Sequence, residues 1–329
     1  MMTVATTIDR QIDHARPTRF ASSVTGSPSI DTVAGKVRPM IALRSSDDIA
    51  CIRRAGSLAA EALAAARVAC IAGASTSSID AAARNTIESA GGEPLFLGYR
   101  GSEGSAKDAF PATTCISIND ELVHGVPSAR VIVDGDLVSI DVGVRLDGWC
   151  ADCANTVAVG AVSAPSRRML ECTERMLACA IESIVPGRRW SEVARAVEAI
   201  AVAEGFTIAA DFVGHGIGRA LHEAPQVPCT VYRSYLECGD FTLRPGMVLA
   251  IEPMLVLEPV RHNALGELVG PRVALAADGW TVMVASGAPS CHVEHTVAVN
   301  RDGAEVLTRF VPSNSYTTTK QSPSLCNVS

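Results

Sequence analysis

The stretch DLVSIDVGVRLDGWCADCANTVAVG, residues 136–160, constrains the fold of this chain more than any other. Its alternating apolar residues and its Asp147-Gly148 dipeptide predict a β-hairpin with a two-residue turn. That turn would set Asp141 opposite Ala154 and Gly143 opposite Asp152. Side chains alternate with a period of two, so Asp141 and Asp152 then share a face as diagonal neighbours, with Cα atoms roughly 7–8 Å apart. Any turn of even length keeps them there. Val138, Ile140 and Val142 make the first strand apolar around Asp141. Two like charges in such surroundings repel and are costly to desolvate unless a cation lies between them. A solvated face is the other reading, and the hairpin alone leaves both open.

Further candidate ligands lie downstream. LRPGMVLAIEPML places Glu252 at the end of an apolar strand stopped by Pro253, and CHVEHTVAV places Glu294 inside another strand. The segment GHGIGRALHEAPQVP, residues 214–228, carries His215 and His222. Its glycines fit neither a P-loop, which needs Gly-Lys-Ser/Thr, nor a dinucleotide fingerprint, whose third glycine is missing. Each glutamate alone is more often an edge-strand surface residue, and a loop histidine usually faces solvent. Together, Asp141, Asp152, His215, Glu252 and Glu294 are four carboxylates and one imidazole in strand-like or strand-adjacent text. Five such ligands can hold two divalent ions about 3.5–4 Å apart, as in two-metal hydrolases.

The 329 residues allow one large domain or two ordinary ones. Residues 1–40 have little periodicity and read as a flexible extension, residues 41–310 as the folded domain, and residues 311–329 as a polar tail. Apolar spacing predicts helices in SDDIACIRRAGSLAAEALAAARVACIAG, SSIDAAARNTIESAGG, RRMLECTERMLACAIESIVPG and WSEVARAVEAIAVAEG. Lining up Gly73 with Gly187 also pairs Ser77 with Ser191, Ile79 with Val193, Ala82 with Ala196, and Gly91 with Gly205. Two α+β halves around a shared sheet follow from that repeat. The net charge of −7 argues against nucleic acid or an anionic membrane as a general partner. No apolar run reaches the ~18 residues of a membrane span, and no signal peptide is recognisable, so a cytoplasmic location is expected. Eleven scattered cysteines then read as reduced thiols. Cys150 and Cys153, three apart in a strand, would point to opposite faces and serve structure.

Residues 41–310 resemble the type I methionine aminopeptidases of the pita-bread fold. The resemblance rests on GYRG, CISINDELVHGVP, DGDLVSIDVGVRLDGWCAD, GHGIGRALHEAPQVP, LRPGMVLAIEPM, DGWTV and VEHTVAV, which occur in family order. It implies an α+β fold of two pseudo-symmetric halves around a curved antiparallel sheet. It implies metal ligation by Asp141, Asp152, His215, Glu252 and Glu294, with two divalent ions drawn from Co, Mn, Fe, Zn or Ni. Oxygen-rich donors favour Mn²⁺, Fe²⁺ or Co²⁺ among these. Catalytic roles then fall to His124, His222 and Glu252, with His124 and His222 contacting substrate. The glycines of GHGIG would let backbone pass close to the metals while His215 reaches them.

The activity implied is removal of the N-terminal methionine from nascent polypeptides, favouring a small second residue. Tyr99, Phe110, Cys115 and Trp280 match the family's pocket positions, with Phe96, Leu221 and Met254 nearby, and aromatic–sulfur contacts favour methionine modestly. A monomer is expected, with the ribosome as a candidate partner. Two enlarged segments depart from the family pattern, residues 102–109 beside the expected pocket and residues 255–279 just before Trp280. The competing readings are another dinuclear aminopeptidase of altered specificity and a non-catalytic pita-bread binding protein, which would be expected to lose ligands.

Overall fold

Ser45 starts the first long helix by a reciprocal cap. Its hydroxyl accepts from the Asp48 amide at 3.1 Å, and the Asp48 carboxylate accepts from the Ser45 amide at 3.0 Å. The computed structural model describes residues 30–33, 36–101 and 109–309. Of the segment read as an extension, residues 1–29 lie outside the described residues, whereas β1 (Ile30–Val33) and β2 (Lys36–Pro39) form an antiparallel hairpin. Residues 310–329, with the polar tail, and residues 102–108 of the first enlarged segment also lie outside them.

The first half then runs α1 (Ser46–Ala69), α2 (Thr76–Ser89), β3 (Glu93–Pro94), β4 (Thr114–Ile118), β5 (Glu121–Val123), β6 (Leu137–Leu146) and β7 (Trp149–Ala158). The second half runs α3 (Ala164–Glu182), α4 (Trp190–Glu204), β8 (Thr207–Ile208), β9 (Gly214–Gly216), β10 (Glu223–Val227), α5 (Arg233–Cys238) and β11 (Val248–Ile251). It ends with β12 (Met254–Val256), β13 (Val273–Leu275), β14 (Val282–Val284), β15 (Ser290–His292), β16 (Glu294–Asn300) and β17 (Gly303–Val306). The four helices expected from apolar spacing are α1 to α4.

An antiparallel nine-stranded sheet crosses both halves in the order β10-β9-β11-β16-β7-β6-β3, with β17 on β16 and β4 on β6. The halves meet in this sheet where β7 pairs β16, through Glu294 with Ala154 and His295 with Cys153, and again where β5 pairs β14 in a smaller sheet with β13. From Val297 onward β17 occupies that edge of β16.

The repeat is visible in the backbone. Gly73 and Gly187 have φ of 91° and 92°, and Gly91 and Gly205 have φ of 75° and 80°. Each helix pair is also tied to its half by an equivalent bridge, Ser75 to Val131 and Arg189 to Thr242.

Alternation assigns the faces of the sheet. Ile140, Val142 and Cys153 pack with Leu58, Ala62, Ile79 and Ile87 of the first helix pair. Leu249, Ile251, Val297 and Val299 pack with Met169, Met176, Val193 and Val197 of the second. One face is therefore covered by helices, and residues of opposite parity, Asp141, Asp152, Glu294 and Thr296, line the other. Cys150 packs on that second face, away from Cys153. None of the ten cysteines among the described residues is in a disulfide. Among the described residues no helix is long and apolar enough to cross a membrane.

Candidate metal centre

The hairpin register is the one its turn dictates. Asp147 and Gly148 have φ of 53° and 75°, the left-handed pair a tight two-residue turn requires. Asp141 stands opposite Ala154 and Gly143 opposite Asp152. The other three expected ligands come from separate strands of the second half. His215 is the central residue of β9, Glu252 follows the last residue of β11, and Glu294 is the first residue of β16. Pro253, with no amide hydrogen and a fixed φ, ends β11 immediately after Glu252.

The glycines around His215 have a more local purpose than closeness to a metal. A Cβ on Gly214 would lie 2.3 Å from the Ala250 carbonyl oxygen, and one on Gly216 would lie 2.2 Å from that of Ala224. The sheet admits β9 between β10 and β11 only because these positions lack side chains.

These residues converge. Ligand atoms of Asp152, His215 and Glu294 all lie within 4.8 Å of one another. His215 Nε2 is 3.5 Å from Glu252 Oε1. Asp152 is 4% exposed and Glu294 2%. Among the described residues, the buried side-chain polar atoms without a partner include Asp141 Oδ1, Asp152 Oδ1, Glu294 Oε1 and His292 Nε2, all of which belong to this neighbourhood. An unpaired buried oxygen of an acid is costly, and three together are stable only if something polar completes them.

The protonation behaviour follows from the crowding. Burial, with the neighbouring Asp152 carboxylate next in weight, pushes Asp141, Glu252 and Glu294 well above the ordinary carboxylate range. Burial lifts Asp152 to about 6. It lowers His215 to about 4, so its imidazole is neutral at pH 7 and has a lone pair to offer. A divalent cation would reverse the cost for the carboxylates by neutralising them, and the oxygen-rich donor set suits a hard or borderline ion.

The expected substrate residues gather beside the acids. Tyr99, Phe110, Cys115, Leu221, Phe96 and Trp280 share one apolar cluster. The Phe110 amide donates to the Tyr99 carbonyl at 2.7 Å, tying these two rings to one framework. Phe110 meets Trp280 edge-on, with centroids 5.3 Å apart. Asp278 fixes the approach to Trp280 by accepting from the amides of Trp280 and Thr281, both at 2.8 Å. Cys115 stands in register with Asp141 across β4 and β6, which joins pocket to cluster. Met254 packs elsewhere, with Leu122, Val123 and Val282.

His222 lies over His215, ring centroids 4.4 Å apart, and its Nδ1 is 2.9 Å from the Tyr99 hydroxyl. His124 follows β5 with φ of 59°, an uncommon conformation for a residue with a side chain. A charge on His124 disfavours charge on His222 and on His292, so the three imidazoles share one neighbourhood. Burial keeps His124 at about 4 and holds His222 well below the usual imidazole range.

His292 is absent from the residues singled out by sequence. Its Nε2 lies 3.7 Å from Glu252 Oε2. The signal was its position two residues before Glu294, the spacing that returns a strand side chain to the same face.

Residues 50–301 match metallopeptidase family M24. A methionine aminopeptidase of Treponema pallidum is 44% identical over 236 residues, 72% of this chain and 84% of that protein. Methionine aminopeptidase 1 of Mycobacterium tuberculosis is 39% identical over 278 residues, 82% of this chain and 96% of that protein. The crystal structure of the methionine aminopeptidase of Thermotoga maritima superposes with a TM-score of 0.72 at 33% identity, covering 82% of this chain and all of that one.

Proposed function

The chain belongs to metallopeptidase family M24, and from that premise we propose that it removes the N-terminal methionine of polypeptides by metal-dependent hydrolysis of the first peptide bond. The observation that carries this reading is the group of four carboxylates, two buried and two half-buried, three with a buried unpaired oxygen, beside an apolar pocket. A protein that held no cation would have no physical reason to keep four acids together here.

Asp141, Asp152, His215, Glu252 and Glu294 are the residues that would hold the metal, as two divalent ions. Such ions supply a Lewis acid and make water a better nucleophile at neutral pH. The chain itself handles the protons and the substrate. Glu252 accepts the proton of the attacking water and returns it to the leaving amine, a task open to a carboxylate whose Oε1 lies 3.5 Å from the candidate ligand His215. The Tyr99 hydroxyl lies 2.9 Å from Nδ1 of His222, and with the hydroxyl as donor the neutral imidazole carries its hydrogen on Nε2. That Nε2–H is a donor for the developing oxyanion. His124, neutral for the same reason of burial, steadies the scissile amide.

The rings of Tyr99, Phe110 and Trp280 with Cys115 and Leu221 receive the methionine thioether. The substrates are N-termini of newly made chains, met by a monomer in the cytoplasm and at the ribosome.

The test is methionine release from Met-Ala-Ser by metal-stripped protein reloaded with Mn²⁺, Fe²⁺ or Co²⁺, with Leu-Ala-Ser and Glu252→Ala alongside. Metal-dependent release of methionine, lost in the variant, is expected. Folded protein that releases nothing with any of the metals would refute the reading.

A further inference from the structure

Glu252 is flanked by two imidazoles, one at each carboxylate oxygen. Oε1 lies 3.5 Å from Nε2 of His215, and Oε2 lies 3.7 Å from Nε2 of His292. The two contacts differ in kind. His215 belongs to the candidate ligand cluster. His292 is 3% exposed, and its Nε2 is buried with no hydrogen-bond partner.

The main chain of His292 is held unusually firmly. Its amide donates to Thr156 Oγ1 at 2.9 Å, and its carbonyl accepts from the same hydroxyl at 2.8 Å. Thr156 is itself 2.8 Å from the Ser139 hydroxyl, so the anchor reaches both strands of the aspartate hairpin. On its other side β15 pairs β12, with His292 opposite Met254, two residues after Glu252. The Val293 amide also donates to the Pro253 carbonyl at 3.3 Å. The backbones carrying His292 and Glu252 are therefore locked together, while the tip of His292 waits slightly beyond bonding distance of Oε2.

We infer that His292 is a positioning residue for Glu252. Its Nε2–H donates to Oε2, so that Oε1 stays turned toward His215 and the acidic cluster. A carboxylate held at one oxygen can still rotate, whereas one held at both ends has a fixed plane. A group that must take a proton from one place and deliver it to another works best from a fixed plane. The hydrogen bond also removes the penalty of an orphaned ring nitrogen in a buried site. Outer partners of this kind orient the groups that face a metal, and their removal typically weakens metal affinity or activity by about 10–100-fold. The inference rests on the reading of Glu252 as a proton carrier beside the metal.

Three variants test it: His292→Leu, which keeps volume and removes the donor; His292→Gln, whose amide N–H can still reach; and His292→Asn, whose amide falls short. Two readouts are taken. One is steady-state methionine release. The other is Mn²⁺ affinity of the stripped protein, followed by electron paramagnetic resonance without any turnover. The leucine and asparagine variants should lose kcat by about 10–100-fold with KM within about twofold, and should bind Mn²⁺ about tenfold more weakly. The glutamine variant should recover most of both.

Wild-type kcat and Mn²⁺ affinity in the leucine variant would overturn the inference. So would a glutamine variant as impaired as the leucine one, since packing alone would then explain the loss. Should the leucine variant not fold, the contrast between glutamine and asparagine decides. Absence of methionine release from wild-type protein would sink the functional reading instead, and Mn²⁺ affinity would still judge His292.

Discussion

The Tyr99 hydroxyl lies 2.9 Å from Nδ1 of His222, so a residue of the apolar pocket selects which nitrogen of the imidazole faces the cleft. Tyr99→Phe should remove this selection with little loss of packing. One net hydrogen bond is worth about 0.5–1.5 kcal/mol, so kcat should fall roughly 2–12-fold while KM for Met-Ala-Ser stays nearly constant. Unchanged kcat in steady-state assays would mean that His222 is oriented by something else.

Metal-stripped protein should lose stability as pH rises above about 7.5. Asp141, Glu252 and Glu294 have folded pKa values raised well above the ordinary carboxylate range. Their contribution is thus fully present below the unfolded values and lost as pH rises through the folded ones. The histidines of the site act in the opposite sense, since their folded values are lowered, but both their states are neutral above about 7.5. The carboxylates therefore dominate in this window. Thermal melts at several pH values, with and without saturating Mn²⁺, check this. Tm should drop with pH only in the stripped protein.

Glu252→Gln should separate chemistry from stability. Loss of a proton carrier typically costs about 10²–10⁴ in rate, yet the substitution also removes one desolvated acid from a crowded group. The stripped variant should therefore melt at a higher temperature than stripped wild type at pH 8. A variant that is both inactive and less stable would contradict the electrostatic account.

Trp280→Ala should blunt selectivity more than turnover. Sulfur–aromatic contacts are worth about 0.3–1.5 kcal/mol, so the preference for Met-Ala-Ser over Leu-Ala-Ser, measured as a ratio of kcat/KM, should narrow by roughly 2–12-fold. Trp280 meets Phe110 and Tyr99 within the pocket cluster.

Arg44 connects the start of the domain to the segment that carries His222. Its guanidinium pairs with Glu223 and lies 5.4 Å from the centre of the Trp149 ring, while Glu223 also accepts from the amides of Arg219 at 2.7 Å and Ala220 at 3.0 Å. Arg44→Met should cost about 1.5–3 kcal/mol, the range for a hydrogen bond to a charged group. It should appear as a lower Tm together with reduced kcat, because His222 adjoins Glu223. A change in Tm alone would separate the clamp from the catalytic loop.

The parts legible in sequence are those governed by local periodicity. The hairpin register could be written down from one Asp-Gly turn, because side-chain alternation and turn length determine it between them. Helices α1 to α4 were legible from apolar spacing. The order β9-β11-β16-β7 was not, since it joins strands far apart in the chain by contacts that no short window contains. For the same reason the glycines flanking His215 had an unread purpose, the carbonyls of Ala224 and Ala250 being distant or on other strands. His292 was hidden differently. It sits in quoted text, but its value lies in facing Glu252, forty residues earlier in the chain, and only the pairing of β15 with β12 brings them together.

The joint between the two halves has a mechanical meaning. β7 and β16 share only two register pairs before β17 takes over the edge, and the Thr296 hydroxyl adds bonds to the amide and carbonyl of Asp152 at 2.9 and 2.8 Å. Asp141 and Asp152 stand on one side of that line, and His215, Glu252 and Glu294 on the other. A cation gripped from both sides would be a rivet across that joint. Losing the ion would then weaken the seam between the halves, which β5 and β14 also bridge, and chelation should loosen the protein along that seam before it frays any outer edge.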